Sequence, residues 1–518
     1  MIVSIILALF ILPNMMSYNH VYAQKMNLAI NYGIASGDVT SDSAVIWSRV
    51  NGSSQMHVEY DNTSSFPHPK NQVTTVNETT DFTGHIRLDN LNPDSQYYYR
   101  VWFSAIGNND SPSSSSKLGR FHTAPSLGHA SKQPLSFAIG GDLGGTYYCR
   151  RVELGYPIFS VMNALAPDFF IFNGDQIYAD FSCPSTPQNQ LFSNKTSNFY
   201  GWHNMPGAES TVTSRDVNWN NTEQIHKIYV QHWEYNRADL HLQNFLANTS
   251  MYSQADDHEV IDDYGGQWTN YTKSDVHKAG FPNLVRTGIA TFFNFSPIEK
   301  NTEEPTRIYR SFNWGKDLDL FILDAHTYRS RSEISDTPDN HKTLLGIQQL
   351  KWLEQGLLDS KATWKVVSTD VPITIPNCFN NRGLGCDNWA TNSTSNNETF
   401  VRERASFLKF LDDNNIKNLV FVATDVHFAA NVRVTQGFNG DGDNLIFYEL
   451  VSGPLTTYTR DTANPLDPTI NAKYLYSENA IFNFEYLRLQ LDPNVHEKRS
   501  IFFMMFAIQM VVSVLTHF

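Results

Sequence analysis

Several short apolar runs in this chain stop abruptly on aspartate. SFAIGGD ends on Asp142, FFIFNGD ends on Asp175, and VFVATDVH carries Asp425 and His427 just past its last apolar residues. MYSQADDHE ends in the same way on Asp256, Asp257, His258 and Glu259. A run that is apolar at every position is covered on both faces, which is the condition of a strand in a parallel sheet flanked by helices. The carboxyl ends of such strands form one edge, and ligands bind in the crevice there. The pattern therefore confines the chain to an α/β architecture with acids and imidazoles gathered at one edge. Carboxylates gathered without cations repel one another, raise their pKa values and destabilise the fold. Metal ions are the economical resolution. Carboxylate and phenolate oxygens with one or two imidazoles suit Fe, Mn, Zn or Ca rather than a thiolate-seeking metal.

The segments between these runs fit the same architecture. GYPIFSVMNALAP, between the first two runs, predicts a helix and so a β-α-β unit. LDLFILDAHTY and TWKVVSTDVPI read as further strands, and GIQQLKWLEQGLLDS and VRERASFLKFLDDNN as helices. Residues 182–250, rich in Asn, Trp and Tyr, read as a loop-heavy insertion with some helix. Upstream the pattern differs. SAVIWSRV, MHVEYDN, TGHIRLDNL, QYYYRVWFSA and LGRFHTAP are short strands separated by turn residues. LNPDSQYYYRVWF has the form of a turn and strand of a fibronectin-like β-sandwich, with Tyr97 or Tyr99 packed inward. The expected organisation is a signal peptide over 1–24, an all-β sandwich domain over 27–125, an α/β domain over 130–495 and an apolar tail over 500–518.

With 518 residues, 41% of them hydrophobic, the chain can bury more than one core. Its net charge of −14 argues against a nucleic-acid binder, which needs a basic stripe. The apolar run Ile2 to Leu12, followed by Val21-Tyr22-Ala23, predicts an export signal, with a retained anchor as the alternative. It lacks the basic residues of a twin-arginine signal. The cysteines suit export: Cys378 and Cys386 bracket a short loop and predict a disulfide, and Cys149 with Cys183 makes the second pair. Sequons at Asn62, Asn77, Asn194, Asn248 and Asn392 suit a surface protein. Ile501 to Phe518, after Lys498-Arg499, reaches the length of a bilayer-spanning helix. The chain is thus expected to be secreted or at the cell surface, membrane-associated through this tail.

GDLGGT, GDQIYAD, DDHE and TDVH, in this order, resemble the metal-ligand motifs of the calcineurin-like metallophosphoesterases. Within them the chain is similar to the PhoD-type alkaline phosphatase/phosphodiesterase family. NYGIASGDVTSDSAVIWSRV, DDHEV, YRSFNWGKDLDLFILDAHTYRS and GIQQLKWLEQGLLDSKATWKVV support this, and the likeness spans about 30–490. The resemblance implies a metallophosphoesterase β-sandwich flanked by helices and a site of two or more metal ions. Asp175 would bridge. Asp142, Tyr178 and His427 would complete one site, for Fe(III), which favours a phenolate. Asp257 and Asp425 would serve the other, for Ca, with Asp262 a further candidate; Zn and Mn are the alternatives. His258 resembles the histidine that faces the substrate phosphate. Asp142 departs from many PhoD-type relatives, which use a cysteine near this point. GDLGGT is closer to purple acid phosphatases, but those have histidine where this chain has Asp425 and Thr369-Asp370.

The implied activity is hydrolysis of small organic phosphate monoesters or diesters by metal-activated hydroxide. His258 would stabilise transition-state charge or protonate the leaving alkoxide, beside Asp175 as the second catalytic residue. Arg329 is a candidate substrate-binding residue in DAHTYRS; with His326 it could equally belong to a structural network, and Asp324 is placed behind the ligands. His203, His232 and His277 lack ligand spacing and read as surface residues. A purple-acid-type phosphatase and a non-catalytic surface binding glycoprotein are the competing readings.

Overall fold

The computed structural model describes residues 27–107, 112–185, 202–265, 275–331, 335–339, 342–378, 386–392, 399–460, 462–491 and 499–508. The fold is mixed α/β. Seven strands come first: β1 (Ile34–Gly37), β2 (Ala44–Arg49), β3 (Ser54–Asp61), β4 (Lys70–Val76), β5 (Thr83–Leu88), β6 (Gln96–Ser104) and β7 (Lys117–His122). Then follow β8 (Ser136–Gly140), α1 (Ile158–Leu165), β9 (Phe169–Asn173), α2 (Thr222–Arg237), α3 (Leu240–Asn248), β10 (Ser250–Gln254) and α4 (Asp275–Phe295). After them come β11 (Arg310–Trp314), β12 (Leu318–Ile322), α5 (Ile347–Asp359), β13 (Trp364–Ser368), α6 (Val401–Asp413) and β14 (Leu419–Ala423). The chain closes with β15 (Ala429–Gln436), β16 (Leu445–Val451), β17 (Ala472–Glu478), β18 (Phe482–Leu491) and β19 (Arg499–Ile508).

These strands form an eight-stranded sheet in the order β19-β18-β8-β9-β10-β1-β2-β5 and a seven-stranded sheet in the order β11-β12-β13-β14-β16-β15-β17. A four-stranded sheet, β4-β3-β6-β7, completes the set. Strands β8, β9 and β10 are mutually parallel, as are β12, β13, β14 and β16, so their carboxyl ends share an edge in each sheet. Strand β9 shows why its sequence is apolar throughout. Phe169 and Ile171 face a core that also holds Leu320, Val366 and Val422 of the other sheet. Phe170 and Phe172 face α1 to α4, against Phe159, Trp233 and Phe245. Helices α5 and α6 cover the second sheet through Leu353, Leu357 and Phe407.

The N-terminal strands do not stand apart. Strand β1 pairs in parallel with β10, Gly37 opposite Met251, so β1, β2 and β5 extend the large sheet. A Cβ on Gly37 would collide with the backbone oxygens of Pro297 and Met251, which is why glycine occupies this junction. Beside it the Arg310 guanidinium donates to both Asp38 oxygens at 2.8–3.1 Å. Strand β6 alternates as its sequence does, and both Tyr97 and Tyr99 are buried. The Tyr97 hydroxyl accepts from the Asn92 N–H at 2.8 Å.

Two expectations are corrected. The apolar run from Ile501 is not a bilayer-spanning helix: Arg499–Ile508 is a strand, paired antiparallel with β18 along its length. No helix among the described residues is long and apolar enough to cross a membrane. The reason is that a uniformly apolar run has no period, so helix and strand cannot be told apart from it. The membrane association at the cell surface built on that helix falls with it; residues 1–24, which carry the export expectation, and 509–518 lie outside the described residues. His232 is not on the surface but buried in α2, bonded to the Ser210 carbonyl at 2.8 Å. Both expected disulfides, Cys149–Cys183 and Cys378–Cys386, are present.

One buried acid lies away from the strand-end cluster. Glu485 of β18 shares its face with Leu487 and Leu489 in the core between the sheets, and neither carboxylate oxygen has a hydrogen-bond partner. Burial pushes its carboxyl up from 4.5 to about 8, and the Asn431 amide, close by but not in hydrogen-bonding geometry, only partly offsets this. With the folded-state value raised, its stabilising contribution is complete below the ordinary carboxylate range and is lost as pH rises through about 8. Glu485→Gln should therefore gain on the parent protein between about pH 5 and about pH 9 by a few kcal/mol, since each tenfold change in proton affinity is worth about 1.4 kcal/mol. Urea unfolding at both pH values checks this, and an unchanged difference would show that another group titrates.

Candidate functional site

Each acidic strand end is built by the same local device. The residues Asp142 after β8, Asp175 after β9, and Asp425 and His427 after β14 have φ of 58°, 50°, 69° and 59°. A strand cannot continue through a left-handed residue, so each run stops there and its side chain turns into the seam where the sheet edges meet. Aspartate tolerates this region better than most residues, at a cost of roughly 1–2 kcal/mol each.

The structure brings Asp142, Asp175 and His427 together, with one ligand atom from each within 4.8 Å of the others. Asp175, Asp257 and His258 form a second such group, so Asp175 is common to both; Asp257, Asp262 and Asp263 form another. The Tyr178 hydroxyl lies 3.2 Å from His427 Nε2 and its ring stacks on His258 at 4.1 Å. A Cβ on Gly145 would overlap the Tyr178 ring, so glycine admits the phenol. Asp425 donates its N–H to Asp142 Oδ1 at 3.3 Å, and both its carboxylate oxygens accept from the Asn377 amide, at 3.1 and 2.9 Å. It therefore sits beside the first group, held by a residue that the sequence did not mark.

The imidazoles are fixed by their second nitrogens. His427 Nδ1 donates to the Tyr458 carbonyl at 2.9 Å, which leaves Nε2 to accept from the Tyr178 hydroxyl, with Asp142 Oδ1 3.6 Å away. Burial and the Arg460 charge hold His427 well below the ordinary histidine range. His258 Nδ1 lies 2.8 Å from Asp180 Oδ1, and its Nε2 is 3.7 Å from Asp257 and 3.9 Å from Asp262. Burial opposes its charge, but Asp180, Asp257 and Asp175 outweigh that and raise it well above the usual value. Burial, then Asp256, pushes Asp142 far above the carboxylate range, and burial does the same to Asp175 and Asp425. Burial also lifts Asp257 to about 7.

Behind these residues lies a supporting layer. Glu259, fully buried, accepts the backbone N–H groups of Asp175, Gln176 and Asp256 at 3.2, 2.6 and 2.9 Å. His326 Nε2 is 2.7 Å from Asp256 Oδ1, off the angle of a hydrogen bond, and 3.7 Å from Asp370. Burial and Arg329 lower His326, yet Asp256 and Asp387 hold it at about 10. Asp324 accepts the N–H groups of His326 and Thr327 at 3.2 and 2.8 Å. The Arg329 side chain is wholly enclosed, its Nη1 2.5 Å from Asp387 Oδ1. Asp180 and Glu259 were visible inside GDQIYAD and DDHE; their supporting roles had no signal of their own.

The donor set fits metal ions. Asp142 Oδ2 and Asp256 Oδ2 are buried without a hydrogen-bond partner, and a buried carboxylate oxygen without a partner costs several kcal/mol unless a cation meets it. Such a shared, oxygen-rich cluster at the carboxyl ends of parallel strands stands where α/β enzymes bind their ligands. The profile described as PhoD-like phosphatase matches residues 145–497, and that of the PhoD-like phosphatase N-terminal domain matches 17–125. The chain belongs to the PhoD-like phosphatase family and is a phosphatase, a hydrolase. It is 24% identical to alkaline phosphatase D of Bacillus subtilis (strain 168) over 91% of this chain and 78% of that one. A solved structure titled "Structure of PhoD" superposes with a TM-score of 0.68 at 18% identity, covering 91% of this chain and 88% of that chain. The binding-glycoprotein reading is thereby set aside.

Proposed function

We propose that the protein hydrolyses small organic phosphate monoesters or diesters at a site of two or more metal ions held by the strand ends. The observation that carries this is Asp175, shared by two ligand groups beside the partnerless Asp142 Oδ2. Asp142, Tyr178 and His427 would share one ion with Asp175; Asp257, Asp425 and Asp262 would serve the other. A phenolate with imidazole and carboxylates favours Fe(III), and the all-oxygen side favours Ca, with Zn or Mn as alternatives. The reading takes residues 27–125 as a β-sandwich domain and 130–495 as a catalytic domain of facing sheets flanked by helices.

Bound there, the ions would neutralise the phosphoryl oxygens and lower the pKa of water to about 7. The chain's own residues do the rest. Asp175, common to both ligand groups, would hold both ions. His258, held charged by Asp180, presents Nε2 to a phosphoryl oxygen and can pass its proton to the leaving alkoxide. Asp180 orients that ring, and the Tyr178 ring stacked on it keeps water from one face. Glu259 holds the Asp175 and Asp256 turns in place through their backbone N–H groups.

Two measurements test this. Asp175→Asn should lose nearly all activity on nitrophenyl phosphate and bis-nitrophenyl phosphate, with less bound metal and an unchanged far-UV circular dichroism spectrum. Activity within about threefold of the parent, under about 0.7 kcal/mol of transition-state stabilisation, would remove the bridge. The iron-loaded protein should also show a visible phenolate-to-iron band that disappears in Tyr178→Phe. Iron without that band, or a band unchanged by the substitution, would place Tyr178 outside the ligand shell.

A further inference from the structure

The segment following β16 is laid directly across the site. Thr456 and Thr457 donate their N–H groups to the Asp142 carbonyl at 3.3 Å, Tyr458 accepts from His427 Nδ1, and the Arg460 N–H donates to the His427 carbonyl at 3.0 Å. Arg460 is therefore tied by its backbone to a residue of the site. Its side chain is half-buried, and Nη2 donates to Asn377 Oδ1 at 3.0 Å. The same Asn377 amide holds Asp425 through its nitrogen, so Arg460 and Asp425 are fixed in one frame. Arg460 Nε is shut off from solvent without an acceptor, and Nη1 has no hydrogen-bond partner among the described residues.

The other cations beside the site are already engaged by carboxylates. His258 lies on Asp180, His326 stands between Asp256 and Asp370, and Arg329 is enclosed against Asp387. Arg460 forms no ion pair within the described residues. Amid so many carboxylates, a guanidinium held by a neutral amide keeps its charge uncommitted. A planar guanidinium with unused donors matches the oxygens of a phosphate group.

We propose that Arg460 contacts a non-bridging oxygen of the substrate phosphoryl group and of the phosphate product, and so makes the site favour a dianionic monoester over a monoanionic diester. This rests on the phosphoester reading of the same site. Asn377 is the positioning residue: it aims the guanidinium while restraining Asp425.

Calorimetric titration of the metal-loaded protein with inorganic phosphate tests the contact without requiring turnover. Arg460→Ala should weaken phosphate by about tenfold or more, the range of a hydrogen bond to a charged group, at unchanged metal content. Its KM for nitrophenyl phosphate should rise in parallel with kcat within about threefold, and its KM for bis-nitrophenyl phosphate should rise less, since the diester has one charge fewer. Arg460→Lys should recover part of the affinity as a point charge without the planar fork. Phosphate affinity within about twofold of the parent, a parent that does not bind phosphate, or affinity restored to Arg460→Ala by saturating metal would each overturn the contact. A parent that binds phosphate through Arg460 but hydrolyses neither ester would refute the proposed function and leave the contact standing.

Discussion

Like charges crowded at the seam between two sheets are the constraint that the rest of this molecule answers. Asp142, Asp175, Asp257 and Asp425 converge there in surroundings that push each carboxyl upward, and burial is the largest cause for every one of them. Without compensation, that much buried charge would unfold a domain whose net stability is only about 5–15 kcal/mol. The compensations are visible one by one. The imidazole of His258 offsets three carboxylates, His326 stands between two more, and Asn377 donates to both oxygens of Asp425. What the protein leaves unmet, Asp142 Oδ2 and Asp256 Oδ2, is what a cation would meet. Stability and function therefore bear on the same atoms.

The frame around the cluster follows from that requirement. The ligand candidates come from strand ends in both sheets, so the sheets must be locked together for the groups to stay in register. A core of Phe137, Phe169, Ile322, Val366 and Val420 does this directly beneath the site. Cross-links at the periphery add to it: Arg310 reaches Asp38 from the N-terminal strands, and Arg329 holds Asp387 beside the Cys378–Cys386 disulfide. The N-terminal region is thus part of the support of the catalytic sheet, through β1 and β10.

Much of the candidate cluster was legible because an apolar strand that stops on an acid is a strong local signal. Asp142, Asp175, Asp425 and His427 all carry it, and Tyr178 is marked by its place just after Asp175. Residues that act through a partner carried no such mark. Asn377 lies far from Asp425 in sequence, and only the folded chain joins them. Glu259 works as a buried acceptor of backbone N–H groups, a role no spacing encodes. Helix α4 was unread because Gly280, Pro282 and Gly288 lower its propensity; the packing of Phe281, Leu284 and Phe292 makes it a helix. The C-terminal run failed for the opposite reason, since nothing in its uniform apolarity distinguishes a strand from a span.

Anomalous X-ray scattering from crystals of the metal-loaded protein tests the central claim most directly. The account predicts at least two peaks at the strand ends on either side of the Asp175 carboxylate, one within bonding distance of Asp142, Tyr178 and His427 and one beside Asp257. Metal found only at exposed acids elsewhere, with no anomalous density at the strand ends, would contradict it.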